Sequence, residues 1–183
     1  MIFLDKKLLR LEVLSKLEAL PRELHRTKSK LISSQLLESK EWKNATNIGV
    51  TISNFPEVDT SFLIHTAKKQ NKRIFVPKCF PKTKEMKFYE WNEQTRFERI
   101  YANILEPITD TTTEIQKNEI DLLIVPGVVF SKEGYRIGFG GGYYDRFLID
   151  YSGHTISLVF LEQLREIIPL DIYDLPVQKM IIL

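Results

Sequence analysis

Only one cysteine, Cys79, occurs in the 183 residues, so no internal disulfide is available, and three histidines beside it give no zinc-ligand spacing. Long apolar runs are missing as well. None approaches the roughly 18 residues that read as a membrane-spanning helix. Nor does one sign of charge dominate: 26 basic residues face 24 acidic ones, and a net charge of +2 is too small to drive non-specific attraction to nucleic acid. The opening Met1-Ile2-Phe3-Leu4-Asp5-Lys6-Lys7 turns charged too early for a secretory signal. The expectation is a cytoplasmic monomer with no nucleic-acid or membrane partner. Two familiar phosphate motifs are also lacking. No Gly-x-x-x-x-Gly-Lys-Ser/Thr occurs, and the Gly-x-Gly-x-x-Gly order is replaced by Gly138-Phe139-Gly140-Gly141-Gly142.

What the chain does have is concentrated. Five of its eight glycines fall within residues 134–145, Gly-Tyr-Arg-Ile-Gly-Phe-Gly-Gly-Gly-Tyr-Tyr-Asp, just after the apolar run Leu122-Leu123-Ile124-Val125-Pro126-Gly127. This reads as a buried strand followed by an anion-binding loop. Without Cβ atoms, Gly138, Gly140, Gly141 and Gly142 let backbone N–H groups approach an anion closely. Arg136 brings a guanidinium suited to bidentate phosphate contact, and Tyr143-Tyr144-Asp145-Arg146 opens a helix whose N-terminus favours negative charge. A glycine cluster can also be a plain tight turn, but Arg136 and the Tyr-Tyr-Asp that follows favour a ligand carrying a phosphate chain.

With 43% hydrophobic residues, the chain can bury the core of one domain spanning residues 1–183. Leucines at helical spacing, Asp5 as a cap and Pro21 as a stop predict a first helix over residues 5–20, and a second covers 22–39. Lys6 and Arg10 lie four apart on one face of the first. On physical grounds alone that face is a solvated basic stripe. Strands are expected at 48–52, 73–76, 86–91, 120–125, 155–160 and 179–183, with a third helix starting near Asp59 or Thr60. Residues 74–91 should form a hairpin arm around 81–85. Met86, Phe88 and Trp91 on that arm are core candidates, one of which could cover a ligand. Strands alternating with helices imply an α/β fold with a mixed, largely parallel sheet flanked by helices. Glu57 then sits at the C-terminal end of a strand, where such sheets place ligands, although it could equally steady the dipole of the helix behind it.

The residues Val125-Pro126-Gly127-Val128-Val129-Phe130 and Gly134 through Leu148 resemble the signature of the 5-formyltetrahydrofolate cyclo-ligase family, also called 5,10-methenyltetrahydrofolate synthetases. Lys6-Lys7-Leu8-Leu9-Arg10, Phe55-Pro56-Glu57-Val58-Asp59-Thr60, Val76-Pro77-Lys78-Cys79 and Ile104-Leu105-Glu106-Pro107 extend the likeness along nearly the whole chain. The resemblance implies a NagB/RpiA/CoA-transferase-like fold and an ATP- and Mg²⁺-dependent ring closure of 5-formyltetrahydrofolate. It further implies that Lys6, Arg10, Arg136, Gly138, Phe139, Gly140, Gly141, Gly142, Tyr143 and Tyr144 bind ATP. Folate would meet Ile52, Phe55, Glu57 and residues 139–143. Asp145 and Asp174 would hold Mg²⁺, with Arg136 and Tyr143 nearest the chemistry. Two departures stand out: Tyr173 replaces a frequent His, and Ser131 a frequent Asp. Related α/β folds also serve as sugar-phosphate sensors and isomerases, so a non-catalytic phosphate-ligand domain is the alternative.

Overall fold

The computed structural model describes residues 5–100 and 104–183. The backbone follows the apolar periodicity closely. Helix α1 (Lys6–Glu18) starts where the Asp5 carboxylate accepts the Lys7 N–H, and it buries Leu9, Val13 and Leu17, a spacing of four that keeps them on one stripe. Helix α2 (Arg22–Glu38) follows Pro21 and buries His25, Ser29, Ile32, Ser33 and Leu36. A short α3 (Lys40–Asn44), capped by Ser39, was not anticipated from the sequence. It carries Trp42, whose ring is buried while its indole N–H donates to Gln70.

Among the described residues the strands are β1 (Asn47–Gly49), β2 (Arg73–Phe80), β3 (Glu85–Glu90), β4 (Phe97–Arg99), β5 (Leu105–Pro107), β6 (Glu114–Ile115), β7 (Leu122–Ile124), β8 (Val129–Phe130), β9 (Arg136–Ile137), β10 (His154–Val159) and β11 (Lys179–Ile182). Seven of them form the central sheet in the order β11-β10-β7-β1-β2-β3-β6. Pairing is parallel from β11 through β2 and antiparallel for β2–β3 and β3–β6. The sheet is therefore mixed and mostly parallel. Strand β7 is buried throughout, as a strand covered on both faces must be. Two small antiparallel ribbons, β4–β5 and β8–β9, complete the β structure.

The expected hairpin arm is β2–β3, in register from Phe75↔Glu90 to Phe80↔Glu85, with Lys84 at positive φ in its turn. Helices α1, α2, α3 and α4 (Ser61–Lys69) contribute to one apolar cluster. The other cluster contains Phe75, Phe88, Leu123 and Phe147, the last from α5 (Tyr143–Leu148). Among the described residues no helix is long and apolar enough to cross a membrane.

The topology locates the site. From β1 the chain passes through α4 to β2 on one side, whereas β7 joins β1 on the other. The carboxyl ends of β1 and β7 thus flank the point where strand order reverses, the usual crevice of an open α/β sheet.

Candidate active site

At that crevice the chain leaves β1 and is fixed by a small polar network. The Thr60 hydroxyl donates to Thr51 O, and Ser53 and Thr60 exchange backbone-to-hydroxyl bonds. A pocket opens here, lined by Thr51, Ser53, Glu57, Thr60, Pro126 and Gly127 among others. Glu57 Oε2 accepts the Asn54 N–H at 2.8 Å. Burial pushes the carboxyl above its ordinary pKa, and the Asn54 hydrogen bond only partly opposes it. Beneath the loop, His25 Nε2 lies 2.9 Å from Glu57 O and 3.2 Å from Pro56 O, so Nε2 carries the proton and pins both carbonyls. The role of His25 was missed from sequence. Its spacing with Ser29, Ile32 and Leu36 on the buried stripe was the available signal.

Ile52 is half-buried against the larger core cluster. The Phe55 ring lies under the Arg22 guanidinium, 3.4 Å from its centroid, and 5.0 Å from the His25 ring. It is held by α2 as much as it is offered to a ligand.

The glycine loop crosses the same end of the sheet. Gly140 and Gly142 have φ of +99° and +62°, which only glycine adopts without strain. A Cβ built on Gly138 would touch nothing within 4 Å, and one on Gly140 would meet only the Arg10 guanidinium at 3.8 Å. That face of the loop is open to a ligand. Arg10 Nε donates to Gly138 O at 2.7 Å, so α1 is tied to the loop. Phe139 projects into solvent.

Arg136, expected to contact phosphate bidentately, has both ends of its guanidinium engaged within the protein. Its side chain is 3% exposed, Nη1 donates to Leu175 O at 2.7 Å, and Nη2 pairs with Asp145 Oδ1 at 3.0 Å. Burial pulls the guanidinium below its ordinary pKa, and the Asp145 charge works against that. Asp145 Oδ1 also accepts the Leu175 N–H. Arg136 and Asp145 together therefore staple residue 175 to the glycine loop. Next to Leu175, Asp174 Oδ2 accepts from Lys6 Nζ at 2.6 Å and from the Asp171 N–H, while Lys6 also reaches Asp171 at 2.6 Å. Partial burial disfavours the Lys6 charge, yet its two carboxylate partners outweigh it and hold the pKa high. Tyr173, between them in sequence, is 79% exposed.

Tyr144 joins the two halves of the site. Its hydroxyl is buried, near Thr51, with Glu57, Cys79 and Arg136 close enough to affect its charge, and it has no hydrogen-bond partner among the described residues. Burial pushes its pKa well up. An orphaned buried hydroxyl is costly unless a ligand completes it. The Tyr143 ring lies under Gly141, where an added Cβ would come within 2.7 Å of it. Cys79 is half-buried beside Glu106, and burial with the Glu106 charge pushes its thiol up to about 12. Glu106 Oε1 accepts the Cys79 N–H, so the Leu105-Glu106-Pro107 element fixes the β4–β5 ribbon to β2.

Asp145 Oδ2 and Asp174 Oδ1 make no hydrogen bond among the described residues, so each carboxylate keeps one oxygen to offer. No group of three or more His, Cys, Asp or Glu able to hold a metal exists among those residues. Two carboxylates with one uncommitted oxygen each are a donor set that Mg²⁺ can use beside other oxygen ligands.

Fold and site define the class: an α/β protein with an open-faced glycine loop and a carboxylate-lined pocket near the sheet's switch point. The model of the 5-formyltetrahydrofolate cyclo-ligase family matches residues 3–183, and the chain belongs to that family, a family of ligases. It is 31% identical to the 5-formyltetrahydrofolate cyclo-ligase of Haemophilus influenzae over 79% of this chain and 80% of that one. It is also 36% identical to a probable 5-formyltetrahydrofolate cyclo-ligase of Schizosaccharomyces pombe, over 84% and 76% of the two chains. The solved 5,10-methenyltetrahydrofolate synthetase of Aquifex aeolicus superposes with a TM-score of 0.83 at 30% identity, covering 97% of this chain and 89% of that one. The corresponding Mycoplasma pneumoniae enzyme gives 0.77 at 25%, covering 97% and 98%.

Proposed function

We propose that this chain cyclises 5-formyltetrahydrofolate to 5,10-methenyltetrahydrofolate at the expense of ATP, with Mg²⁺ carried in on the nucleotide. The observation that carries this reading is the juxtaposition of two incomplete halves. A buried carboxyl, Glu57, and an orphaned hydroxyl, Tyr144, lie beside an open-faced glycine loop held by Arg10.

An N5-formyl group is amide-like and a poor electrophile. Its oxygen attacks the γ-phosphorus and ADP departs; N10 then attacks the activated carbon. Phosphate leaves with the former formyl oxygen, and the N10 proton is lost. Such a sequence asks the protein for alignment and charge stabilisation more than for covalent participation.

The residues divide accordingly. Glu57 can accept the paired N–H groups of a pterin, with His25 fixing the loop that presents it. Gly138, Gly140, Gly141 and Gly142 cradle phosphate with backbone N–H groups, and Phe139, Tyr143 and Tyr144 border the reacting end. Arg10 and Lys6 supply positive charge, Lys6 exchanging Asp171 and Asp174 for phosphate oxygens. Asp145 and Asp174 would hold Mg²⁺ through their uncommitted oxygens. Arg136 is a positioning residue that sets Asp145 and the 171–175 loop. Absorbance of methenyltetrahydrofolate formed from 5-formyltetrahydrofolate, followed with and without ATP and Mg²⁺, tests the proposal. Product should form only with both present, and no product under any condition would refute it.

A further inference from the structure

Two arginines hold the glycine loop by its carbonyls. Arg10 takes Gly138 O from α1, and Arg146 takes Gly141 O from α5, its Nη2 donating at 2.6 Å. The exposed Arg146 side chain has a second attachment. Its Nε donates at 2.9 Å to Lys84 O in the turn of the β2–β3 hairpin, an arm paired in register from Phe75↔Glu90 to Phe80↔Glu85, so the guanidinium is fastened to a fixed ladder. It is confined sideways as well. Its central carbon lies 5.1 Å from the Tyr143 ring centroid, and a Cβ on Gly142 would come within 2.9 Å of Nη1. Gly142 therefore leaves room for the guanidinium besides adopting a φ of +62°.

A trans peptide sets its C=O and the following N–H on opposite sides. With Gly141 O turned to Arg146, the Gly142 N–H faces the other way, and among the described residues it donates to nothing. The N–H groups of Gly140 and Gly141 are equally uncommitted there. Both Arg146 bonds end on backbone carbonyls, so this arginine is engaged in orienting main chain.

We infer that Arg146 is a positioning residue, which sets the peptide between Gly141 and Gly142 so that the Gly142 N–H is presented to a phosphate oxygen before the nucleotide arrives. The inference rests on the proposed phosphate cradle. Gly140-Gly141-Gly142 has little preference of its own for one peptide orientation, so without the guanidinium the Gly141 carbonyl turns towards an anion as readily as away from it. A carbonyl in that place repels phosphate. Donors that are already aimed lose no binding energy to reorientation, which is what the link from loop to hairpin supplies.

Calorimetric titration with ATP and Mg²⁺ in the absence of folate, beside ¹H–¹⁵N spectra of protein labelled with ¹⁵N-glycine, gives readouts that do not depend on turnover. In the intact chain the Gly142 amide proton should move downfield as ATP binds. Arg146→Met keeps an unbranched stem and removes every donor, so ATP affinity should fall roughly tenfold, the scale of one charge-assisted hydrogen bond, and the Gly142 shift should shrink even at saturating ATP. Affinity for 5-formyltetrahydrofolate, measured without nucleotide, should stay. Arg146→Lys, whose ammonium reaches one carbonyl but does not fork between two, should recover part of both losses. Parental ATP affinity in Arg146→Met would overturn the inference. So would a full Gly142 shift in that variant once ATP saturates it, because Arg146 would then contact phosphate itself, and so would equal losses of ATP and folate affinity, the mark of a general loss of structure. An intact chain that binds ATP with no shift of any glycine amide would remove the cradle and this inference with it, whereas the other three outcomes leave the cradle standing.

Discussion

Removing the Asp145 carboxylate should cost stability as well as activity, because its partner is almost wholly buried. Arg136 is 3% exposed, whereas Asp145 is 22% exposed and accepts both Arg136 Nη2 at 3.0 Å and the Leu175 N–H at 3.2 Å from a single oxygen. Breaking a buried pair by deleting one partner costs about 3–5 kcal/mol, since the surviving charge stays desolvated. Partial exposure of the carboxylate and the Leu175 carbonyl on Nη1 reduce this, so Asp145→Ala should lose about 2–4 kcal/mol. Asp145→Asn keeps an acceptor in place and loses the difference between a charged and a neutral hydrogen bond, about 1–2 kcal/mol. For a chain of this size those losses lower Tm by roughly 5–15 °C and 2–8 °C respectively. Urea unfolding with unchanged m, read beside the Mg²⁺ dependence of turnover, separates the two duties of the residue. Asp145→Asn should remain folded at 25 °C and require more Mg²⁺. An Asp145→Ala protein as stable as the parent would refute the buried staple. An Asp145→Asn protein with parental Mg²⁺ dependence would leave Asp145 with the staple alone.

Other outcomes follow from the same geometry. Gly140→Val places a β-branched residue at φ +99° on the open face of the loop, so ATP affinity should fall far more than folate affinity; unchanged ATP binding in separate titrations would count decisively against the cradle. Burial raises the Glu57 pKa above 4.5, so the free protein keeps a proton there to a higher pH, and that proton must leave before the carboxylate can accept from a pterin. Affinity for 5-methyltetrahydrofolate, which cannot cyclise, should therefore strengthen as pH rises from 4.5 through that raised value and then level off. Glu57→Gln should remove this dependence and weaken binding by roughly 1–3 kcal/mol. A profile for the parent chain that stays flat as pH rises above 4.5 would contradict the assignment.

Much of this architecture can be read in the sequence where a periodic signal is long. The leucine spacing of α1, the Asp5 cap and the Pro21 stop place the first two helices to within two residues, and the arm around residues 81–85 is the β2–β3 hairpin. Short elements escape: β4, β5, β8 and β9 are two or three residues long, too few to show alternation. The strand expected at 48–52 ends at Gly49, because Thr51 and Ser53 turn to Thr60 instead of a neighbouring strand. The glycine loop is legible because its composition is unusual. What the loop rests on is not. Arg136 is buried by Leu175, 39 residues away, and Lys6 meets Asp171 and Asp174 across most of the chain. Contacts of that separation leave no local pattern, so the commitment of the Arg136 guanidinium to Leu175 O and Asp145 is not legible in the sequence.

The formyl oxygen itself provides the most direct test of the proposed chemistry. With 5-formyltetrahydrofolate labelled with ¹⁸O in the formyl group, ATP and Mg²⁺, the labelled oxygen should appear in inorganic phosphate in a one-to-one ratio with methenyltetrahydrofolate formed. Release of the label into water while the ring closes would contradict phosphorylation of the formyl oxygen.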